Sequence, residues 1–236
     1  MSRWSENPFV IGVRSAIFHL ISSLITLVFL IFLPFLWAPA RIAWAILSWY
    51  VWTQVFALRL ICGQSYQLVS DGPLPTEPVV YACQHQAMWE TIFLPVLFNN
   101  PVVFLKEEIL GYPVAGPVAR KFDYVGLDRS GATDKARAAF AKARDLAGDG
   151  RSFLIFPSGT RDPAKRDRVE KGVAVLYRAM KLPVVPIILN SGDFWPHKSW
   201  LRRPGVITVR VLPTIDPGLK TAAFMTQLEQ DLRTSL

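Results

Sequence analysis

The chain is poor in cysteine, histidine and acidic residues. Its 236 residues include only two cysteines, Cys62 and Cys83, and three histidines. Two cysteines give neither a disulfide framework nor the spacing of a metal site, which favours a reducing compartment. The 18 acidic residues are outnumbered by 26 Lys and Arg, so the formal charge is +8. We therefore expect anionic partners, such as a membrane surface or a phosphorylated substrate.

Signatures of several other protein classes are also missing. Basic motifs interleaved with aromatic residues, which would indicate nucleic-acid binding, are not present, and we expect no nucleic-acid partner. Internal repeats and low-complexity tracts are absent. A chain of 236 residues is long enough for one substantial domain and short for two.

One long stretch lacks charge altogether. The run "AIFHLISSLITLVFLIFLPFLW", residues 16–37, contains no Lys, Arg, Asp or Glu and has the length that crosses a hydrocarbon core. A second apolar stretch, residues 42–60, is rich in Trp and Tyr, which favour the headgroup zone. Because Pro34 and Pro39 interrupt the path between them, the two stretches predict a helical hairpin for membrane attachment.

Hydropathy leaves the topology of this hairpin open. It either spans the bilayer or dips into one leaflet, and two buried core helices are the alternative. No small-residue cleavage site precedes Arg41, so we expect the segment to stay attached instead of acting as a signal peptide. Arg3 and Arg14 precede the first stretch, and Arg41 and Arg59 flank the second. These charges indicate a main body on the cytoplasmic face of the inner or plasma membrane.

After Gly63 the pattern changes to short β-like runs that alternate with helical ones. Strands are predicted at "YQLVS", "VVYAC", "VVFL", "YVGL", "SFLIF", "VVPIIL" and "VITVRVL", with helices between most of them and at residues 221–234. This alternation predicts an α/β fold with a mixed, largely parallel sheet flanked by helices. We expect residues 1–62 to form the membrane-associated hairpin and residues 63–236 the α/β domain.

The segment "YACQHQAMWETIF" contains a candidate catalytic pair, His85 and Glu90. Residues five apart do not face each other on a helix, so the pair meets only if the helix starts after His85. The carboxylate would then fix the tautomer of an imidazole that acts as a general base. A structural histidine beside an unrelated Glu is the alternative. Cys83 and His85 could also form a nucleophile and base, although core packing of Cys83 is the simpler interpretation.

Four ordered segments together resemble the glycerol-phosphate acyltransferase family, in particular its 1-acylglycerol-3-phosphate acyltransferase branch. The first is "HQAMWE", where the family has His-x4-Asp and this chain has His85 and Glu90. The second, "KEEILGYPVAG", has Lys106, Glu108, Pro113 and Gly116 at the matching places. The third, "FPSGTR", matches Phe-Pro-Glu-Gly-Thr-Arg except at Ser158, and the fourth, "LPVVPIILNSG", carries Pro186.

The resemblance implies acyl transfer from an acyl-CoA or acyl-carrier-protein thioester to the sn-2 hydroxyl of lysophosphatidic acid, which gives phosphatidic acid in phospholipid biosynthesis. It implies His85 as general base and Glu90 as its orienting partner. No metal and no cofactor are expected beyond the thioester donor. Backbone N–H groups of the turn at His85 are the candidates for oxyanion donors.

The resemblance also assigns candidate residues to the acceptor phosphate. Arg161 offers a guanidinium fork, Lys106 a point charge, and Thr160 and the backbone of Gly159 supplementary donors, with Ser158 in the same loop. A salt bridge of Arg161 to a neighbouring carboxylate, Asp162 or Glu170, is the alternative.

Two departures from the family pattern keep other functions open. Glu90 adds one methylene to the expected Asp, and Ser158 removes a carboxylate from the phosphate loop. Another lysolipid acceptor, or a catalytically impaired membrane protein that binds lipid, is therefore an alternative. A serine hydrolase is disfavoured because "FPSGTR" is not the G-x-S-x-G elbow.

Overall fold

Two apolar helices form the N-terminal part of the computed structural model, which describes residues 7–127, 133–165 and 168–236. Helix α1 (Pro8–Ile31) starts at Asn7, whose side chain accepts a hydrogen bond from the Phe9 N–H at 2.9 Å. Helix α2 (Ala40–Ala57) continues as a π-helical turn, Leu58–Cys62. A 3₁₀ turn, Leu33–Trp37, joins the two helices, so the predicted break near Pro34 and Pro39 is confirmed.

The outer surface of this hairpin is apolar. Pro8–Ile31 and Ala40–Cys62 are long and apolar enough to cross a membrane, and only 17% and 22% of their apolar windows are buried. That exposure does not fit the alternative of two buried core helices. The hairpin contacts the rest of the protein at the middle of α1, where His19 bonds the Trp200 carbonyl at 2.8 Å, and at the connection between its helices, where Lys121 donates to the Ala38 carbonyl at 2.6 Å. Arg3 lies outside the described residues.

A seven-stranded sheet forms the centre of the remaining chain. The strands are β1 (Gln64–Ser70), β2 (Val80–Cys83), β3 (Val102–Lys106), β4 (Val125–Leu127), β5 (Phe153–Ile155), β6 (Val184–Leu189) and β7 (Gly205–Val211), in the spatial order β1-β7-β6-β2-β5-β3-β4. All neighbours are parallel except β6 and β7. The predicted mixed, largely parallel sheet is confirmed.

Helices cover both faces of the sheet. They are α3 (Met88–Leu97), α4 (Ala115–Lys121), α5 (Thr133–Gly148), α6 (Lys171–Met180), α7 (Ser191–Phe194) and α8 (Thr221–Leu232). Short 3₁₀ turns lie at Glu107–Gly111 and Pro163–Lys165. The sequence predicted each of the longer helices after the hairpin, but not the single turn of α7.

The two faces of β2 show how the layers form. Side chains alternate along a strand, so Val80 and Ala82 join one apolar cluster while Tyr81 and Cys83 join the other. The first cluster contains buried residues of α6 and α8, such as Leu176 and Phe224. The second contains buried residues of α3, and also Phe18, Val51 and Leu58 of the hairpin. The hairpin thus packs on the face of the sheet that α3 covers.

Candidate active site

The candidate residues converge at one edge of the sheet. Strand β2 lies between β5 and β6, with Ala82 opposite Ile155 and Cys83 opposite Ile187. Because these strands and β3 are parallel, the loops after their carboxyl ends meet at the same edge. That edge carries His85 after β2, the loop 156–161 after β5, Lys106 at the end of β3 and Ser191 after β6.

His85 and Glu90 are in direct contact. Helix α3 begins at Met88, so His85 lies in the preceding turn and its side chain folds back toward the helix. The distance between His85 Nδ1 and Glu90 Oε1 is 3.1 Å. Both the contact and the helix start after His85 were predicted from the sequence, and both are confirmed.

The Glu90 carboxylate is fully buried, and four groups of the described residues donate hydrogen bonds to it. Oε1 accepts from the backbone N–H groups of Gln86 and Ala87, both at 2.6 Å, and bonds the His85 ring. Oε2 accepts from the Ser191 hydroxyl at 2.7 Å. An ionised carboxylate is an acceptor only, and these donors match its capacity.

Glu90 is also part of the helix N-terminus. It occupies the third helical position, from which its side chain reaches back to the N–H of the N-cap residue Ala87. The N–H groups of Gln86 and Ala87 are therefore already donated to this carboxylate. They do not serve as the oxyanion donors that the sequence suggested at this turn.

The imidazole of His85 is held on a second side by an aromatic ring. Phe156, directly after β5, stacks on it with a centroid separation of 4.3 Å and an interplanar angle of 28°. The His85 side chain keeps 15% of its surface exposed. Since Nδ1 is used by Glu90, Nε2 is the ring nitrogen left for a substrate.

The loop after β5 is shaped by hydrogen bonds within itself. Ser158 is buried and donates its hydroxyl to the Thr160 carbonyl at 2.9 Å. Gly159 has a φ of +61° and donates its N–H to the Phe156 carbonyl at 2.9 Å. Neither group points its donor out of the loop in this conformation, in contrast to the donor predicted for Gly159. The Thr160 hydroxyl accepts from the Asp162 N–H at 3.2 Å, which leaves its own proton for a ligand.

Two cations stand at this edge without a carboxylate partner among the described residues. The predicted alternative for Arg161 was a salt bridge, but Glu170 pairs with Arg168 at 3.3 Å and Asp162 accepts from the Ala164 N–H at 3.1 Å. Arg161 is half-buried, and Lys106 is exposed at the end of β3. Phosphate binding by these residues remains a prediction that the arrangement favours.

The second segment has a packing role in addition. Gly116, in the first turn of α4, is buried, and a Cβ there would collide with the Leu110 carbonyl of the preceding 3₁₀ turn. The turn that follows Lys106 therefore packs against α4 only with glycine at this position. Glu108 and Pro113, the other matching positions, are exposed.

Cys83 belongs to the core and does not act as a nucleophile. It is fully buried, and its thiol donates to the Gln84 carbonyl at 3.1 Å. Burial, together with the charge of Glu90, raises the pKa of the Cys83 thiol well above its ordinary value. The protonated thiol is a poor nucleophile, which rules out the Cys–His alternative.

Three contacts at the site were missed from the sequence: the Ser191 hydroxyl on Glu90, the Phe156 ring on His85, and a buried amide pair behind the turn. In this pair the Gln86 side chain donates to the side chain of Gln84 at 3.0 Å. Ser191 and Phe156 each follow a strand that neighbours β2. Strand order was the signal that could have located them, and the sequence pattern did not supply it.

Comparison with known proteins gives the class to which this site belongs. The family model described as Acyltransferase matches residues 67–190. A protein from Pseudomonas aeruginosa, named 1-acyl-sn-glycerol-3-phosphate acyltransferase, is 30% identical over 210 residues, which cover 86% of this chain and 81% of that protein. The chain belongs to the acyltransferase family.

Other similar proteins carry related names. A 1-acyl-sn-glycerol-3-phosphate acyltransferase from Cocos nucifera is 28% identical over 194 residues, which are 80% of this chain and 61% of that protein. The crystal structure of the 1-acyl-sn-glycerophosphate (LPA) acyltransferase PlsC from Thermotoga maritima has a TM-score of 0.73. The matched part covers 94% of this chain and 95% of that chain, and the two sequences are 17% identical. At this identity the similarity shows the fold alone.

Proposed function

We propose that the protein transfers an acyl chain from an acyl thioester to the sn-2 hydroxyl of lysophosphatidic acid and so forms phosphatidic acid. The observation that carries the proposal is the buried Glu90 carboxylate bonded to the ring of His85, at the sheet edge that also carries Arg161 and Lys106. Family membership and the names of the similar proteins support the same reaction.

In the first step the acceptor hydroxyl attacks the carbonyl carbon of the thioester. As the C–O bond forms, His85 Nε2 takes the hydroxyl proton, and Glu90 stabilises the imidazolium at Nδ1. The tetrahedral intermediate then collapses, the C–S bond breaks, and the imidazolium returns the proton to the leaving thiolate. The thioester is already activated, so the protein mainly aligns the two substrates and moves one proton.

The acceptor phosphate is the group that the free cations would recognise. A guanidinium presents two parallel donors to phosphate oxygens, and an ammonium adds a point charge from a second loop. Arg161 and Lys106 supply these groups from the ends of β5 and β3. Thr160 adds a hydroxyl in the same loop. In this arrangement the loops would hold the headgroup of the acceptor, and its acyl chain would lie in apolar surroundings.

The apolar hairpin is consistent with lipid substrates, because these substrates lie in a membrane. We propose that α1 and α2 attach the protein to a membrane and that the α/β domain lies on its cytoplasmic face. The acyl donor, acyl-CoA or acyl carrier protein, would then arrive from the aqueous side. The proposal needs no metal and no cofactor beyond this donor.

Another lysolipid acceptor is the second candidate, and Ser158 is the observation that favours it. Its hydroxyl closes the loop by bonding Thr160, in a position where the family motif has a carboxylate. The change alters the charge beside Arg161, and this charge influences which headgroup the loop holds.

An acceptor panel tests both candidates. Purified protein in detergent is given an acyl-CoA or acyl-carrier-protein donor with lysophosphatidic acid, lysophospholipids with larger headgroups, and a phosphate-free monoacylglycerol. We expect phosphatidic acid as the main product. Preference for a larger headgroup would support the second candidate, while preference for the phosphate-free acceptor would contradict the role of Arg161. An absence of transfer from both donors to every acceptor would overturn the proposed function.

A further inference from the structure

We propose that Ser191 is a positioning residue for the catalytic pair and acts through the Glu90 carboxylate. Its hydroxyl would fix the plane of that carboxylate and thereby the orientation of the His85 ring. The inference rests on the acyl transfer proposed above, and it concerns a residue outside the His85 turn and outside the phosphate loop.

The two oxygens of Glu90 have very different surroundings. Oε1 is bonded by two backbone N–H groups and by His85, whereas within the described part of the chain Oε2 has a single partner, the Ser191 hydroxyl at 2.7 Å. Glu90 and Ser191 are both 0% exposed, so water does not replace that partner. Loss of the hydroxyl would leave one oxygen of a buried carboxylate unsatisfied.

The single bond to Oε2 matters because the last torsion of a glutamate side chain is broad. Donors on Oε1 alone fix one point of the carboxylate and leave the group free to rotate about it. A second bond, on Oε2, sets the plane. The imidazolium formed during transfer is stabilised only when the carboxylate faces Nδ1, so the plane affects the transition state more than the bound substrates.

Ser191 is itself held firmly beside the His85 turn. Its carbonyl accepts from the Trp195 N–H at 2.8 Å, which closes the single turn of α7. The next residue, Gly192, donates its N–H to the Gln86 side chain at 3.0 Å. A Cβ on Gly192 would lie 3.0 Å from Gln86 Oε1 and 3.2 Å from Gln86 Cβ, so glycine allows this close approach. The hydroxyl is thus presented from one rigid loop to another.

Residue length gives a second line of argument. The acid at this position is a Glu, and its carboxylate lies between Ser191 on one side and the His85 turn on the other. An Asp is shorter by about one C–C bond, roughly 1.5 Å. An Asp at position 90 would not reach both partners without movement of the backbone. The Ser191 hydroxyl is therefore matched to the longer side chain.

The first test measures acyl transfer by Ser191→Ala and Ser191→Thr. We expect Ser191→Ala to lower kcat roughly tenfold to a hundredfold with the KM values of both substrates unchanged, as for a lost hydrogen bond to a charged group. Ser191→Thr keeps the hydroxyl and should recover most of this loss. The matched control is Ser15→Ala, because Ser15 in α1 is also fully buried, and its hydroxyl donates to the Ile11 carbonyl at 2.7 Å and accepts from the Arg202 N–H at 2.8 Å. Equal kcat in Ser191→Ala and wild type would overturn the inference, and so would an equal loss in the Ser15→Ala control.

A double-mutant cycle with Glu90→Asp tests the match to side-chain length. If the shorter acid already loses the hydroxyl, adding Ser191→Ala should lower kcat by less than about twofold, well below its effect in the wild-type background. Fully additive losses would contradict the inference.

A spectroscopic arm separates this inference from the proposed function. The chain has three histidines, so ¹⁵N-histidine labelling gives few ring signals. We expect the Nδ1–H proton of His85 to resonate downfield in wild type and to shift or broaden in Ser191→Ala, but not in Ser15→Ala. An unchanged His85 signal would refute the positioning role even if no acyl transfer were detected. Absence of transfer in a wild-type protein with the expected signals would refute the function instead.

Discussion

Replacement of Glu90 separates two roles that the structure combines in one side chain. The carboxylate accepts hydrogen bonds from the N–H groups of Gln86 and Ala87, just before α3, and from the hydroxyl of Ser191. It also orients His85. Glu90→Ala removes both roles. Glu90→Gln keeps an oxygen for the backbone donors and places an amide group beside Ser191, so it removes the charge while keeping most of the hydrogen bonding.

The magnitudes follow from the number of donors left without an acceptor. Glu90→Ala abandons three buried donors: the N–H of Gln86, the N–H of Ala87 and the Ser191 hydroxyl. At about 1–3 kcal/mol each, the free energy of unfolding falls by roughly 3–9 kcal/mol, which is a large part of the stability of a typical domain. Glu90→Gln should cost no more than about 1–3 kcal/mol, because at most one of these groups loses its partner.

Catalysis should respond in a different order. Without the negative charge the imidazolium of His85 loses its partner, so we expect Glu90→Gln to lower kcat roughly 10²- to 10⁴-fold, the range of a general-base contribution. Thermal unfolding in detergent measures the first effect, and the initial rate of acyl transfer measures the second. Glu77→Ala and Glu77→Gln, at an exposed glutamate in the loop before β2, serve as controls.

Two outcomes would refute this reasoning about Glu90. One is a Glu90→Ala protein as stable as the Glu77→Ala control, which would mean that the buried donors find other acceptors at no cost. The other is a Glu90→Gln protein with wild-type kcat, which would mean that the charge does not assist His85.

Three further predictions concern the phosphate loop, the second segment and the cysteine core. Arg161→Ala should raise the KM for lysophosphatidic acid roughly tenfold to a hundredfold, because the phosphate loses a charged hydrogen-bond donor. Arg161→Lys should recover part of the loss, and the exposed control Arg168→Ala should leave the KM unchanged. An unchanged KM in Arg161→Ala would show that Arg161 is not part of the acceptor site. Gly116→Ala should lower the free energy of unfolding by about 1–3 kcal/mol, because the new Cβ meets the Leu110 carbonyl. In the control Gly111→Ala the Cβ lies in open space, and stability should not change. Equal melting temperatures of the two variants would contradict the packing argument. N-ethylmaleimide at pH 7–8 should leave the activity of the native protein intact. Both cysteines are buried, and the raised pKa keeps the Cys83 thiol protonated at these pH values, whereas both thiols of the denatured chain should react. Rapid labelling of Cys83 in the native protein would show that the core is open there.

The parts of the fold that could be predicted are those set by local pattern. The continuous apolar run "VVYAC" and the uncharged run in the hairpin identify a strand and a long apolar helix without knowledge of their neighbours. The start of α1 was placed too late, at residue 16 instead of Pro8, although Asn7 before Pro8 is a helix-start signal. The apolar run outweighed the capping signal in that prediction.

The parts that could not be predicted depend on which strands become neighbours. His85 and Glu90 are only five residues apart, so their contact is local. Helix geometry alone predicted that they meet only if α3 begins after His85. Ser191 is 101 residues from Glu90, and Phe156 directly follows a separate strand, β5. Their positions follow from β6 and β5 flanking β2, an order that the periodicity of each strand does not contain.

The internal bonding of the loop after β5 was also beyond the sequence. Ser158 could have presented its hydroxyl to a ligand or to its own backbone, and both are ordinary for serine in a turn. The structure shows the second, with the hydroxyl on the Thr160 carbonyl. We therefore expect Ser158 to influence acceptor choice through loop shape and the missing charge, not through a direct contact.

The central claim is that His85 removes the acceptor proton, and the initial rate of phosphatidic acid formation by His85→Ala tests it most directly. Labelled acyl thioester and lysophosphatidic acid are supplied at saturating concentrations, with His197→Ala, at an exposed histidine, as the matched control. The account predicts product from wild type and from the control, and a rate lower by at least roughly 10²-fold from His85→Ala. Phosphatidic acid formed by His85→Ala at the wild-type rate would contradict it.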